Sequence, residues 1–233
     1  MATYNLKLSN KNTTESIQRE FGRKFRFPNA YAPEIVVDGR KESLLPVIKA
    51  DTSYLISMGI WGLLPDDFEG DWEEFQKIFS TLFIKPRSEA DDKLNNVLGN
   101  DQPCLVIVSG FFVHRYMEKE LQPYYVYQGN KEPFCLAGIC TTLEDGFVTF
   151  SIYTVPSTGL IDSIQNLSAK MPLVIEKQDY DNWLSGNPSF FIEQRQFSSN
   201  TNLKAHPINR QFFNNEIYFE SMLEPVSNSN LQK

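Results

Sequence analysis

Apart from 22 lysines and arginines and 29 acidic residues, the groups of this 233-residue chain that could do chemistry near neutral pH are few: two histidines and three cysteines. His114 closes an apolar run, GFFVHRY, that reads as a strand, and the question is whether it serves a reaction or only packs. His206, in AHP, reads as a loop or packing residue. Two isolated histidines with no carboxylates placed beside them do not make a metal site, and Cys104, Cys135 and Cys140 lack zinc-type spacing, so neither metal nor cofactor is expected. The cysteines are odd in number and lie in or beside apolar runs, which suits buried free thiols better than a disulfide framework. The chain has no glycine-rich phosphate loop, no Gly-x-Ser-x-Gly elbow and no His-Glu-x-x-His.

Two periodicities indicate what must position these groups. From Thr14 to Phe25, Ile17, Phe21 and Phe25 recur four residues apart, as on one helical face. Asp71 with Glu74 three residues on reads as an N-cap opening a second helix that carries Phe75, Ile78, Phe79 and Leu82. From Cys104 onward the runs CLVIVSGFFV, PYYVYQ, PFCLAGICTTL, FVTFSIYTV and MPLVIE are β-branched and aromatic, each bounded by turn residues. A short helix is expected around Tyr180 to Leu184, and SNSNLQK reads as a frayed end. The class is therefore α+β with a mostly antiparallel β core, one domain over residues 1–224 and a polar tail over 225–233.

Composition narrows the functions. With 41% hydrophobic and 13% aromatic residues the chain can bury a full core. A net charge of −7 argues against a general nucleic-acid binder, although a local basic patch remains compatible with it. No apolar run approaches the roughly 20 residues of a membrane span and the opening segment is too polar for a signal peptide, so a cytoplasmic protein with no membrane partner is expected.

Short blocks in a fixed order carry more: YAP (Tyr31 to Pro33), PVI, IWGLLP (Ile60 to Pro65), PRSE (Pro86 to Glu89), PCLVIVSGFF (Pro103 to Phe112), LAGICTT, KMPLVI (Lys170 to Ile175) and AHP. The series resembles the SRAP family of SOS response-associated, abasic-site processing proteins, over about Tyr31 to Pro207. Family members carry Ala-Pro, Trp-Gly-Leu-x-Pro, Asn-Ala-Arg-Ser-Glu, Gly-Phe-Tyr-Glu-Trp and Arg-Met-Pro-Val-Ile blocks in that order. The resemblance implies a compact domain around a barrel-like β core, and a cysteine exposed after methionine removal that captures the aldehyde of an abasic site in single-stranded DNA as a thiazolidine. An asparagine, a glutamate and a histidine assist.

In this sequence the family positions are altered. The cysteine position is Ala2, the asparagine falls on Lys85, the glutamate on Val113, and the histidine on Gln165 or Ser168, depending on the spacing adopted. His114 stands one residue beyond the glutamate register, on the opposite face of a strand. The nucleic-acid contacts that the resemblance implies here are Pro33, Trp61 and Arg87, with Lys85 in place of the asparagine and Lys170 in place of an arginine fork. Trp61 could be a wedge beside an unpaired base or a core aromatic; Arg87 could hold a phosphate or a surface ion pair. The acidic run Asp66, Asp67, Glu69, Asp71 reads as a solvated loop that would repel DNA if it faced the cleft.

Three readings follow. The first is a homologue silent in the family reaction that binds single-stranded DNA or DNA junctions weakly. The second is a cleft that takes a protein segment or a small-molecule ligand instead, which the net charge favours. The third is an altered chemistry in which an amine, Lys85 or the N-terminus at Ala2, forms a Schiff base with an abasic aldehyde.

Overall fold

Runs of β-branched and aromatic residues favour extended backbone above all between residues 102 and 156. The computed structural model describes residues 7–65, 67–85, 101–186 and 202–226. Its first half carries β1 (Lys7–Asn10), α1 (Thr14–Phe21), β2 (Lys24–Phe25), β3 (Glu34–Asp38), β4 (Leu44–Lys49), β5 (Leu55–Trp61), α2 (Trp72–Phe79) and β6 (Phe83–Ile84). There follow β7 (Gln102–Val108), β8 (Gly110–Met117), β9 (Glu120–Gln128), β10 (Phe134–Thr142), β11 (Val148–Pro156), α3 (Gly159–Ile164), β12 (Lys170–Pro172), β13 (Val174–Ile175), α4 (Tyr180–Ser185) and β14 (Leu203–Pro207).

One sheet runs in the order β14, β9, β8, β1, β3; a second runs β12, β11, β10, β7, β4, β5, β2, with β13 on β10 and β6 on β11. Most pairings are antiparallel, but β11 also lies parallel to β5, from Val148 opposite Gly59 to Phe150 opposite Trp61. That contact turns the second sheet back on itself as a partial ring. The fold is a single α+β domain with few helices, as the periodicities predict.

The run from Cys104 to Val113 reads as one strand and is two. The break at Ser109 passes the chain from the second sheet to the first, and Ser109 N–H donates to Ser9 O at 2.8 Å. Gly110 is required there, because a Cβ on it would stand 2.4 Å from the Tyr125 ring and 2.5 Å from Val126 O. The first helix also ends earlier than the spacing suggests. Gly22 adopts φ 63° as its C-cap, so Phe25 reaches the core from β2 rather than from the helix. Asp71 caps α2 as read, accepting from Glu74 N–H at 2.9 Å. The buried residue of that helix is Trp72, however, while Ile78 is 74% exposed.

Most apolar side chains join one interior core. A smaller cluster of Phe112, Tyr125, Ile208, Phe212 and Leu223 covers the other face of β8 and β9. Cys104, Cys135 and Cys140 are buried free thiols, and burial, with Cys140 beside it, pushes the Cys104 thiol up. Val226, within the expected polar tail, is tied by its N–H to Pro207 O at 3.0 Å; residues 227–233 lie outside the described residues.

Candidate functional site

Strand β11 is the platform that gathers the sequence-predicted positions. On one side it carries β6, with Tyr153 opposite Ile84, and Thr154 Oγ1 donates to Ile84 O at 3.1 Å. Further along it carries β12, with Pro156 opposite Lys170. Lys85 follows β6 and Lys170 opens β12, so two residues 85 positions apart in sequence present their amines side by side, within hydrogen-bonding reach. Lys85 is exposed and Lys170 half-buried. Burial first, and then the adjacent Lys85 ammonium, lower the Lys170 pKa from its ordinary value.

Gln165 and Ser168, the two positions onto which the family histidine maps, both hold Lys170 by its backbone. Gln165 Nε2 donates to Lys170 O at 2.9 Å, and Ser168 Oγ accepts from Lys170 N–H at 3.1 Å. Gln165 is only 7% exposed, and its Oε1 is buried with no hydrogen-bond partner among the described residues. The segment is in turn fixed to β8: Arg115 Nη1 donates to Ser163 O at 3.0 Å, and Asn166 accepts from Tyr116 N–H and donates to Tyr116 O. These clamps have no signature a sequence search would pick out, since Gln and Ser in a short loop are commonplace.

Val113 lies on β8 two residues before Arg115 but is 1% exposed in the interior core, where it offers neither a carboxylate nor access to the surface. His114 faces the other way, as strand alternation requires. It is 6% exposed, its ring lies 5.6 Å from that of Phe213, and burial together with the Lys7 charge lowers its pKa to about 4. His206 is likewise a packing residue, with Nε2 2.6 Å from Leu223 O and its ring against Tyr125 and Tyr127.

Of the two readings of Trp61, its burial favours the core aromatic over the wedge. It is 0% exposed, its Nε1–H donates to Leu82 O at 2.9 Å, and its ring meets Phe83 edge-on at 5.4 Å. A base cannot stack on a ring with no accessible face. The tryptophan instead pins residues 82–83, the segment that delivers Lys85, and Thr81 Oγ1 adds a bond to Leu63 O. Pro33 is exposed ahead of β3, at the edge of the five-stranded sheet, whereas the lysine pair belongs to the other sheet. Ala2, Arg87 and Asp66 lie outside the described residues. Asp67, Glu69 and Asp71 are exposed.

The site therefore brings together Lys85, Gln165, Ser168 and Lys170, with the 163–166 segment docked on the strand that carries Val113. Two amines can bind an anion, and the buried amide oxygen can accept a hydrogen bond. They cannot do the work of a carboxylate and an imidazole.

A family model described as SOS response associated peptidase (SRAP) matches residues 5–215. No curated protein matches the sequence. Among solved structures, a protein from Bacteroides thetaiotaomicron is similar with a TM-score of 0.75 at 20% identity, covering 95% of this chain and 100% of that one. A protein from Bordetella bronchiseptica gives 0.66 at 13% identity over 87% of this chain and 99% of that one. A phage-related protein from the same organism gives 0.53 at 15% identity over 87% and 93%.

Proposed function

The chain belongs to the SOS response associated peptidase (SRAP) family, and on that premise we propose that it binds single-stranded DNA weakly, in the setting of DNA damage, without forming the family's stable thiol-based cross-link. The observation that carries this is the convergence of Lys85 and Lys170 on β11 at positions the family uses around its substrate. Paired cations attract phosphate, and screening beyond about 8 Å at physiological salt lets a local pair prevail over a net charge of −7. Loss of the cross-link follows from Ala2 having no thiol, Val113 no carboxyl, and Gln165 and Ser168 no imidazole.

Titration of labelled single-stranded DNA against the wild type and the Lys85→Ala/Lys170→Ala double variant tests this reading. Binding by the wild type that falls several-fold in the variant supports it. Equal binding by both would place any DNA contact elsewhere. No binding by either would favour a protein segment or small ligand as occupant of the cleft. Incubation with abasic single-stranded DNA and no reductant should give no adduct that survives heat and detergent.

A further inference from the structure

We infer that the outer shoulder of α2 is a docking surface for a basic amphipathic helix of a partner protein. It uses none of the residues of the lysine site and stands independently of the DNA-binding reading.

The helix is anchored along one side and bare along the next. Trp72 is 6% exposed, and Gln76, four residues on, exchanges two bonds with Thr81: its Nε2 donates to Thr81 Oγ1 at 2.7 Å and its Oε1 accepts from Thr81 N–H at 2.8 Å. Trp72 and Gln76 therefore share the inward face. Phe75 and Phe79, also four apart, lie on the adjoining flank, with Ile78 beside them three residues after Phe75. Phe75 is half-buried, whereas Phe79 is 48% and Ile78 74% exposed. The Phe75 ring stands 5.1 Å from that of Phe68 and 4.9 Å from that of Phe79, so three aromatic rings and Ile78 form one apolar surface. Single exposed apolar side chains are ordinary; a contiguous group on a firmly anchored helix marks an interaction site.

The charge around this surface selects the partner. Between residues 67 and 79 stand five exposed carboxylates, those of Asp67, Glu69, Asp71, Glu73 and Glu74, against one cation, Lys77. Lys77 is bound to Glu74 at 2.6 Å, and the other four have no ion-pair partner among the described residues. Asp67 and Glu69 flank Phe68, and Glu74 stands four residues before Ile78, so the acids border the apolar surface. Such a rim repels a nucleic-acid backbone, an anionic bilayer and a second copy of this chain, whose net charge is −7. It attracts a segment bearing lysine or arginine. An amphipathic helix supplies that charge together with an apolar stripe to lie against Phe75, Ile78 and Phe79.

The probe is a fluorescein-labelled peptide of leucine and lysine with its leucines at i, i+3, i+4 and i+7, titrated with the full-length protein and followed by anisotropy. The expected result is saturable binding that weakens as salt is raised. Ile78→Ser/Phe79→Ser should raise Kd at least tenfold and Glu69→Gln/Glu73→Gln several-fold, with thermal melting confirming that both variants fold. A peptide of the same composition with its leucines spread around the helix should bind at least tenfold more weakly than the patterned one. Equal affinity of the patterned peptide for the wild type and Ile78→Ser/Phe79→Ser overturns the inference, as does no binding by the wild type. Equal binding of the two peptides overturns it by reducing the contact to charge alone. Loss of single-stranded DNA binding instead of peptide binding in Ile78→Ser/Phe79→Ser overturns it as well, and makes the shoulder a platform for bases.

Discussion

Truncation of Trp61 separates a core tryptophan from a base-stacking one. The side chain is fully buried, its ring packs on Phe83, and its indole N–H satisfies Leu82 O. Trp61→Ala leaves a cavity and an unpartnered carbonyl together, which costs about 3–5 kcal/mol for a large aromatic. A domain of this size shifts its melting temperature by about 2–4 °C per kcal/mol, so a fall of roughly 6–20 °C is expected. Thermal denaturation followed by circular dichroism reads this directly. DNA binding should fall as well, because residues 82–83 that deliver Lys85 lose their anchor. Trp61→Phe should retain more of both stability and binding. A melting temperature unchanged within about 3 °C, which corresponds to roughly 1 kcal/mol, combined with lost DNA binding would refute the reasoning and return Trp61 to the cleft.

His114 has a pKa of about 4 in the fold against an ordinary 6.5, so the unfolded chain binds more protons between those values and stability falls as pH drops through that window. The difference amounts to roughly 3 kcal/mol, and the urea midpoint of His114→Leu should depend less on pH than that of the wild type between pH 7 and pH 4. Gly110→Ala should cost about 1–3 kcal/mol or more in chemical denaturation, because its Cβ meets Tyr125 and Val126 O at the crossing between sheets. Ala2→Cys alone should yield little heat-stable cross-link on abasic DNA, as seen on a denaturing gel, because Val113 is buried in the core and Gln165 and Ser168 cannot move protons.

The strands after Cys104 were legible because their apolar runs are long and bounded by turn residues, and Asp71 announced its helix because capping chemistry is local. The reading of residues 104–113 as one strand failed because nothing local marks Ser109 as the crossing between sheets; only the close approach of Tyr125 makes Gly110 obligatory. The strands β1 and β3 to β5 gave a weak signal, being short or interrupted, as β4 is by Pro46. At the site, ordered sequence blocks singled out Lys85 and Lys170 as expected contacts, but their proximity on β11, the grip of Gln165 and Ser168, and the inward turn of Trp61 depend on sheet register, which pairs residues far apart in the chain. Strand alternation did foretell that His114 would point away from Val113's face, since a side-chain period of two needs no tertiary knowledge.

The salt dependence of single-stranded DNA binding tests the central claim most directly, because it counts phosphates rather than inferring them from affinity. Each phosphate neutralised contributes about −0.7 to the slope of log K against log salt, so the lysine pair predicts a wild-type slope steeper than that of Lys85→Ala/Lys170→Ala by about 1.4. Slopes that coincide, or no binding by the wild type even at low salt, would contradict the account.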